Sequence, residues 1–233
     1  MPIASGGEDA VGPAATPRVL VALTVALERL VARNDELAAA LEEERRRRTK
    51  PAARGALDVF RAARVPSISV GRYLERLYQY SDCSPSCFVV GFAYMDRLAH
   101  RHPSSLLLSV NVHRLLLASL LVASKVLDDV HHSNAFYAKV GGVSTAELNR
   151  LELELLFLLD FGVTVGARAF EGYCLHLEKE LLCNSGGGGE RRRGSGGRDG
   201  VGRGLTPPSN GAAGEESDTP WSRFSSPSPP NSF

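Results

Sequence analysis

Two charged residues stand in the most apolar part of the sequence. Lys125 lies in the run LLLASLLVASKVLDD, and Glu152 lies in ELNRLELELLFLLDF. A lysine ammonium carries three hydrogen-bond donors and a glutamate carboxylate accepts them, so the two side chains could pair and offer a polar centre to a partner protein. Alternatively, the lysine stem packs along apolar surface and the glutamate simply faces water. The first interpretation predicts a docking surface and the second an ordinary solvated helix face.

Catalytic and metal-binding patterns are weak. The cysteines are Cys83, Cys87, Cys174 and Cys183. A zinc site would need a second close pair beside Cys83 and Cys87, or a histidine at a suitable spacing, and the sequence has neither. Four residues after the central apolar run could hold a metal ion, and they are Asp128, Asp129, His131 and His132. A turn between two helices commonly collects polar residues, however, which is the simpler interpretation. No nucleophile–base pair or phosphate loop stands out. We therefore predict a protein that is not an enzyme and has no metal and no cofactor.

The composition of the chain indicates which classes of partner and which cellular locations to expect. The chain has 233 residues, a net charge of +1 and 43% hydrophobic residues, which suits one domain with tails. A balanced charge gives no basic face for nucleic acid. The first residues are not those of a secretory signal, and the longest apolar run, 115–123, is shorter than the roughly 20 residues of a membrane span. We expect no nucleic-acid or membrane partner and a location in the nucleus and/or cytoplasm.

The N-terminal third predicts one long helix. Residues 1–17 are predicted to be disordered, 18–48 to form an amphipathic leucine-rich helix, and 49–65 to form a connector. Leucines recur at spacings of three and four, apart from one gap that Asn34 fills. This pattern allows a parallel coiled coil of two chains, in which the asparagine would fix the register. Valines widen the apolar stripe beyond a coiled-coil seam, however. We favour packing of this helix on the chain's own domain.

Residues 66–183 predict a compact all-α domain. Ser69 is placed to cap one helix, and Ser84 followed by Pro85 starts the next. The segment 111–127 is apolar on almost every face, as expected of a helix surrounded by other helices. Ser144 and Glu147 form the pattern of a capping box. These signals predict a bundle of five or six helices without strands.

The last segment, residues 184–233, differs sharply in composition. It is rich in Gly, Arg, Ser and Pro, beginning with GGGGERRRGSGGRDG. Such sequence buries too little apolar area to offset the conformational entropy of the chain. We predict a disordered C-terminal tail.

The order of several motifs resembles the cyclin box. They are YLERL, CSPSCFVVGFAYMDRL, NVHRLLLASLLVASK, NAFYAKVGGVS and ELNRLELELLFLLDF. The chain is most similar to the plant P- or U-type cyclins, which have a single cyclin box and are similar to the yeast cyclin of phosphate signalling. The resemblance implies a regulatory subunit, monomeric until bound, that binds and activates a cyclin-dependent kinase in cell-cycle and growth control, with a link to nutrient status. The alternative is a non-activating cyclin-fold scaffold, as in transcription.

The resemblance also assigns residues to kinase binding. It implies that Lys125 bonds kinase backbone carbonyls, that Glu152 is its partner and that Arg150 flanks the pair. An apolar ring around this centre would face the kinase, and its members would be Val122, Val126, Leu156, Phe161 and Val163. Each ring member could instead belong to the ordinary core.

One position departs from the better-studied cell-cycle cyclins. There, an arginine pairs with the aspartate that corresponds to Asp96, whereas Ser67 stands at the arginine's place in this chain. Asp96 must therefore have another partner. We expect Arg97 or a backbone amide in that role.

Overall fold

A computed structural model describes residues 16–48 and 55–185. These residues form seven α-helices and one 3-10 helix, without a strand among them. The helices are α1 (Arg18–Arg47), α2 (Val70–Ser81), α3 (Pro85–Arg101), α4 (Val112–Leu127), α5 (Asn134–Gly141), α6 (Thr145–Leu158) and α7 (Ala167–Ser185), with the 3-10 helix at Ala56–Phe60. The all-α prediction is confirmed. The predicted disordered ends, 1–17 and 184–233, lie outside the described residues except for two residues each.

Helix α4 lies at the centre of the bundle. It packs against α3, α6, α5 and α2, which explains why its sequence is apolar on nearly every face. The crossing with α3 is close, since a Cβ atom on Gly91 would lie 3.5 Å from the backbone nitrogen of Leu120. Both helices that carry the predicted docking residues, α4 and α6, are therefore fixed by core packing.

Helix α1 packs on the chain's own helices. Leu20, Leu23 and Leu27 are buried against α2 and α3. The Asn34 amide nitrogen donates to the main-chain oxygen of Leu107 at 3.0 Å, within a buried environment. The asparagine thus satisfies a loop carbonyl of the same chain. Helix α1 packs on the chain's own domain, which was the favoured alternative to a two-chain coiled coil.

The predicted connector contains an ordered element that the sequence analysis missed. Leu57 and Phe60 of the 3-10 helix are 2% and 0% exposed. The Ala62 amide donates to the Val110 oxygen at 2.7 Å, which ties this segment to the start of α4. Two apolar residues three apart are too short a pattern to predict a helix, so only tertiary packing shows this element.

The start of α6 confirms half of the predicted capping box. The Ser144 hydroxyl accepts from the Glu147 amide at 3.1 Å, as an N-cap should. The Glu147 carboxylate does not return this bond. It accepts from Arg114 Nε of α4 at 2.5 Å instead, because an arginine one helix away competes with the neutral amide of Ser144.

The start of α3 is joined to the end of α4 by a carboxylate. Asp128 accepts from the Ser84 hydroxyl at 3.0 Å and from the Cys87 thiol at 3.2 Å. Ser84 is the N-cap residue, as predicted, but its hydroxyl makes this contact rather than capping α3. Burial raises the pKa of the Cys87 thiol to about 12, so it stays protonated. All the cysteines, including Cys83, are free.

Neither a metal-binding cluster nor a membrane-spanning helix occurs within the described ranges. No three histidine, cysteine, aspartate or glutamate residues within 16–48 and 55–185 are grouped as they would be around a metal ion. Over the same residues, no helix has the length and apolar character needed to cross a membrane.

Asp96 has another partner, as predicted, but the expectation that it is Arg97 or a backbone amide was wrong. Its Oδ2 atom accepts from the Tyr173 hydroxyl of α7 at 2.7 Å, and its Oδ1 atom lies 3.1 Å from His100 Nδ1. Arg97 points elsewhere. Tyr173 is 77 residues away in sequence, so no local pattern could identify it as the partner.

Asp96 also gives stability a pH dependence. Burial raises the pKa of this carboxyl above its ordinary value of 3.8, although Tyr173, His100 and Arg97 each act to lower it. Between the ordinary and the raised value the folded protein holds more protons than the unfolded one, so the free energy of unfolding falls as pH rises.

We expect Asp96→Asn to flatten this dependence, because the amide oxygen still accepts from Tyr173 but no proton is exchanged. Urea unfolding between about pH 4 and pH 7 should show the variant losing less stability than wild type as pH rises. Parallel curves for the two proteins would contradict this assignment. His100→Gln serves as the control for titration of the neighbouring imidazole.

Candidate functional site

Lys125 and Glu152 form an ion pair between two helices. Lys125 lies in the last turn of α4 and Glu152 in the middle of α6, and the Nζ–Oε1 distance is 2.6 Å. The side chains are 31% and 15% exposed, so a partner can reach the ammonium while the carboxylate lies beneath it. The ammonium has three donors, and one is directed to Glu152. The pairing considered from the sequence is present in the structure.

A third polar side chain completes the pair. The second oxygen of Glu152, Oε2, accepts from Asn134 Nδ2 at 2.6 Å, and the same amide nitrogen donates to Asn149 Oδ1 at 2.8 Å. Asn134 is the first residue of α5, so three helices contribute to this polar centre. The sequence analysis did not identify Asn134, because an asparagine at the start of a helix is ordinary.

Exposed apolar side chains lie on the helices that carry the pair and in the links that follow these helices. Val126 is next to Lys125 and is about half exposed, as is Leu127, and Val130 in the following link is 88% exposed. Phe157 and Phe161 are 65% and 58% exposed and contact each other edge to face, with 5.3 Å between ring centroids. Such exposure of large apolar side chains is typical of protein interaction surfaces.

The members of the predicted apolar ring differ in how exposed they are. Val126 and Phe161 are exposed, Leu156 and Val163 are half-buried, and Val122 is 3% exposed and lies in the core. Arg150 is exposed on α6. Kinase contact by each of these residues stays a prediction, and for Val122 the packing favours the core alternative.

Phe157 and Leu153 are exposed residues that the sequence analysis missed. They are four residues apart in α6, a spacing that places side chains on one side of a helix, and Phe161 follows in the turn after the helix. That spacing was the available signal. It was hidden because α6 has leucines on its other faces as well, where Leu148, Leu151 and Leu155 are buried.

Phe161 has a strained backbone. Its φ angle is 54° and that of Asp160 is 52°, which is the left-handed region that non-glycine residues rarely adopt. Such a conformation costs on the order of 1–3 kcal/mol and persists only where surrounding contacts impose it. The strained residue carries an exposed aromatic ring, and backbone strain of this kind clusters at functional sites.

Two side chains of α3 hold the link that follows Phe161. The Tyr94 hydroxyl donates to the Val163 oxygen at 2.7 Å. Arg97 donates to the Gly162 oxygen at 2.7 Å and to the Thr164 oxygen at 2.9 Å. Three consecutive carbonyls are therefore fixed from one helix, and Arg97 serves this link rather than Asp96.

Comparison with known proteins identifies the family of the chain. The sequence profile of the Cyclin family matches residues 17–163, which is more than half of the chain. This chain belongs to the cyclin family. Membership supports a regulatory role, since cyclins are in general regulatory proteins without catalytic activity of their own.

Curated plant cyclins are similar over most of this cyclin. Cyclin-U1-1 of Arabidopsis thaliana is 56% identical over 178 residues, which cover 76% of this chain and 80% of that protein. Cyclin-P1-1 of Oryza sativa subsp. japonica is 54% identical over 155 residues, covering 66% of this chain and 59% of that protein. The resemblance to P- and U-type cyclins is confirmed.

The family match does not coincide with the predicted domain 66–183. It begins at residue 17, so it includes α1, and it ends at residue 163, before α7. Helix α7 of this cyclin is attached through buried Tyr173 and Leu177 and through an ion pair of 3.3 Å between Arg29 and Glu180.

Proposed function

We propose that this cyclin is the regulatory subunit of a cyclin-dependent kinase and that it docks through Lys125 and Glu152. The observation that carries the proposal is a partly exposed ion pair on two helices, together with exposed apolar side chains on these helices or directly after them, chiefly Val126 and Phe161. Interfaces commonly combine a polar centre with apolar anchors in this way.

The donors of Lys125 suit the end of a helix in the partner. The last carbonyls of an α-helix have no partner within the helix, and an ammonium can satisfy them. Glu152 would hold the ammonium in place and balance its charge as water leaves the interface. Phe161 and its neighbour Phe157 would pack on the apolar side of the same kinase helix.

Activation would follow from this contact. A cyclin that holds the kinase's αC helix inward allows the catalytic lysine–glutamate pair of the kinase to form and the activation segment to open. The chemistry belongs to the kinase, and this cyclin supplies binding energy for the active arrangement. The proposal includes cell-cycle and growth control with a nutrient link, a monomeric state before binding, and a location in the nucleus and/or cytoplasm.

The experiment for this proposal is a binding and activity screen with the full chain. Purified protein is titrated against a panel of cyclin-dependent kinases, and phosphorylation of a standard peptide is then measured for each kinase that binds. We expect saturable binding and increased activity with at least one kinase. If the protein binds none of the kinases, the proposal fails and the non-activating cyclin-fold scaffold becomes the better interpretation.

Phe161 gives a prediction that separates binding from folding. We expect Phe161→Gly to weaken kinase binding about 30-fold, as loss of a hot-spot aromatic worth about 2 kcal/mol would do. Stability should change little, because glycine relieves the positive φ angle while the ring contact with Phe157 is lost. Calorimetric titration and thermal unfolding measure the two effects.

Asp160→Gly is the matched control for this prediction. It relieves the same kind of strain one residue earlier and leaves the aromatic ring in place. We expect binding within about twofold of wild type and a slightly higher melting temperature. Equal losses of binding in both glycine variants would assign the effect to backbone freedom and not to the ring.

A further inference from the structure

We infer that Asn134 is a positioning residue for the docking pair, holding the Glu152 carboxylate so that Lys125 is already oriented before a partner arrives. This inference rests on the proposed function for its consequence in kinase binding. Its structural part concerns the free protein alone. Asn134 is half-buried and lies on α5, while the residues that it orients lie on α6 and α4.

The two oxygens of Glu152 have separate partners. Oε1 accepts from Lys125 at 2.6 Å and Oε2 accepts from Asn134 at 2.6 Å. A carboxylate held at both oxygens cannot rotate without breaking a hydrogen bond. The direction of Oε1, and with it the position of the ammonium, is therefore set by Asn134 of α5.

The amide of Asn134 is itself held in place. Its nitrogen has two hydrogens, and it donates to Asn149 Oδ1 at 2.8 Å as well as to Glu152. Asn149 lies on the same helix as Glu152, nearly one turn earlier. The side chain of Asn134 thus spans two residues of α6, which fixes its rotamer and its orientation.

Helix α5, which carries Asn134, is anchored at both ends. At its start the Ser133 hydroxyl accepts from the Phe136 amide at 3.3 Å. At its end, α2 contributes Arg76 Nε, which donates to the Val140 oxygen at 2.8 Å, and the Tyr73 hydroxyl, which donates to the Gly141 oxygen at 3.1 Å. A short helix fixed in this way is a rigid support for a side chain that positions another.

The consequence for binding is preorganisation. Lysine and glutamate are among the side chains that lose most rotamer freedom when they are immobilised. If Asn134 has already restricted the pair, association with a partner costs less entropy. Loss of this hydrogen bond to a charged group should weaken kinase binding about tenfold.

The test compares Asn134→Ala with Lys139→Ala in the full chain. Both variants shorten a polar side chain of α5, but Lys139 is exposed and takes part in neither hydrogen bond of Asn134. Alanine is a good helix former at either position, so both should fold. We expect about tenfold weaker kinase binding for Asn134→Ala and less than a twofold change for Lys139→Ala. Equal effects of the two variants would overturn the inference.

Asn134→Asp adds a pH profile that a general structural role would not produce. Aspartate suits the first turn of a helix, yet it places a carboxylate against Glu152 Oε2. As pH falls, the two carboxyls share a proton and regain a hydrogen bond. We expect the kinase affinity of the Asn134→Asp variant, divided by that of wild type at the same pH, to rise as the pH is lowered from about 8 to about 5.5.

Other charged groups near this site are accounted for by that ratio. Lys125 of α4 contacts Glu152, Arg150 lies two residues before Glu152 on α6, and His131 and His132 precede α5. These four residues are present in both proteins, so a pH effect on binding that does not involve position 134 is the same in both. A ratio that stays constant with pH would overturn the positioning role.

A measurement on the free protein separates this inference from the proposed function. The chain has lysines at Lys50, Lys125, Lys139 and Lys179, so the Nζ signal of Lys125 can be resolved by proton–nitrogen NMR and assigned with Lys125→Arg. We expect a protected ammonium signal in wild type and Lys139→Ala, and rapid exchange with water in Asn134→Ala. If no kinase binds, the proposed function fails, while an unchanged Lys125 signal in Asn134→Ala overturns the positioning role.

Discussion

Replacing Glu152 with alanine is expected to abolish kinase association at concentrations where wild type is saturated. The variant leaves the Lys125 ammonium in the interface without its counter-charge, and the loss of one partner from a buried pair costs roughly 2–5 kcal/mol. That range corresponds to about a 30-fold to several-thousand-fold loss of affinity. Lys125→Ala should have a similar effect, since it leaves the carboxylate unpaired.

The fold should survive both changes. The pair is partly exposed in the free protein, and surface ion pairs contribute about 1 kcal/mol or less to stability. Helicity by circular dichroism and the melting temperature should therefore stay close to wild type. Loss of fold in both variants would assign Lys125 and Glu152 to the architecture and not to docking.

A second ion pair between the same helices supplies the control. Arg114 of α4 and Glu147 of α6 are 2.5 Å apart and are also partly exposed. Glu147→Ala removes a carboxylate from the same helix and breaks the same kind of contact without touching the docking pair. Calorimetric titration should show unchanged kinase binding for this variant. Equal loss with Glu147→Ala and Glu152→Ala would mean that spacing of the helices, not the docking pair, controls association.

Phe60→Ala is expected to lower the free energy of unfolding by about 3–5 kcal/mol, as deletion of a fully buried phenylalanine does. The lost ring leaves a cavity beneath the 3-10 helix, which packs against α4 and α6. Urea unfolding of the full chain measures the change. An effect of that size would make the segment before α2 part of the cooperative unit.

Arg64→Ala is the control for Phe60→Ala. Arg64 lies in the same segment and is exposed, so its truncation should change the free energy of unfolding by less than about 0.5 kcal/mol. If Phe60→Ala were equally mild, the segment would be dispensable and the predicted connector would be the better description.

Local signals in the sequence predict most of the helical framework. Ser69 and Ser144 cap helices where expected, and the all-round apolar character of 111–127 identifies the central helix. These features succeed because capping and burial are encoded within a few residues. Lys125 and Glu152 are conspicuous for a related reason, since a charge in an apolar run needs an explanation.

The remaining features depend on contacts between distant residues. Asn134 contacts a glutamate 18 positions later, and Tyr173 contacts an aspartate 77 positions earlier. Which face of α6 is exposed is likewise set by packing, because leucine and phenylalanine occur on several of its faces. The sequence therefore predicts that a docking pair exists, whereas only the fold shows the residues that orient it.

The central claim is tested most directly by kinase activation with the wild-type chain. Each kinase of a cyclin-dependent kinase panel is assayed on a peptide substrate with increasing amounts of this cyclin, in parallel with the Glu152→Ala variant. We predict saturable activation of at least one kinase by wild type and none by the variant. Activation that is equal for the two proteins, or absent for wild type across the panel, would contradict the account.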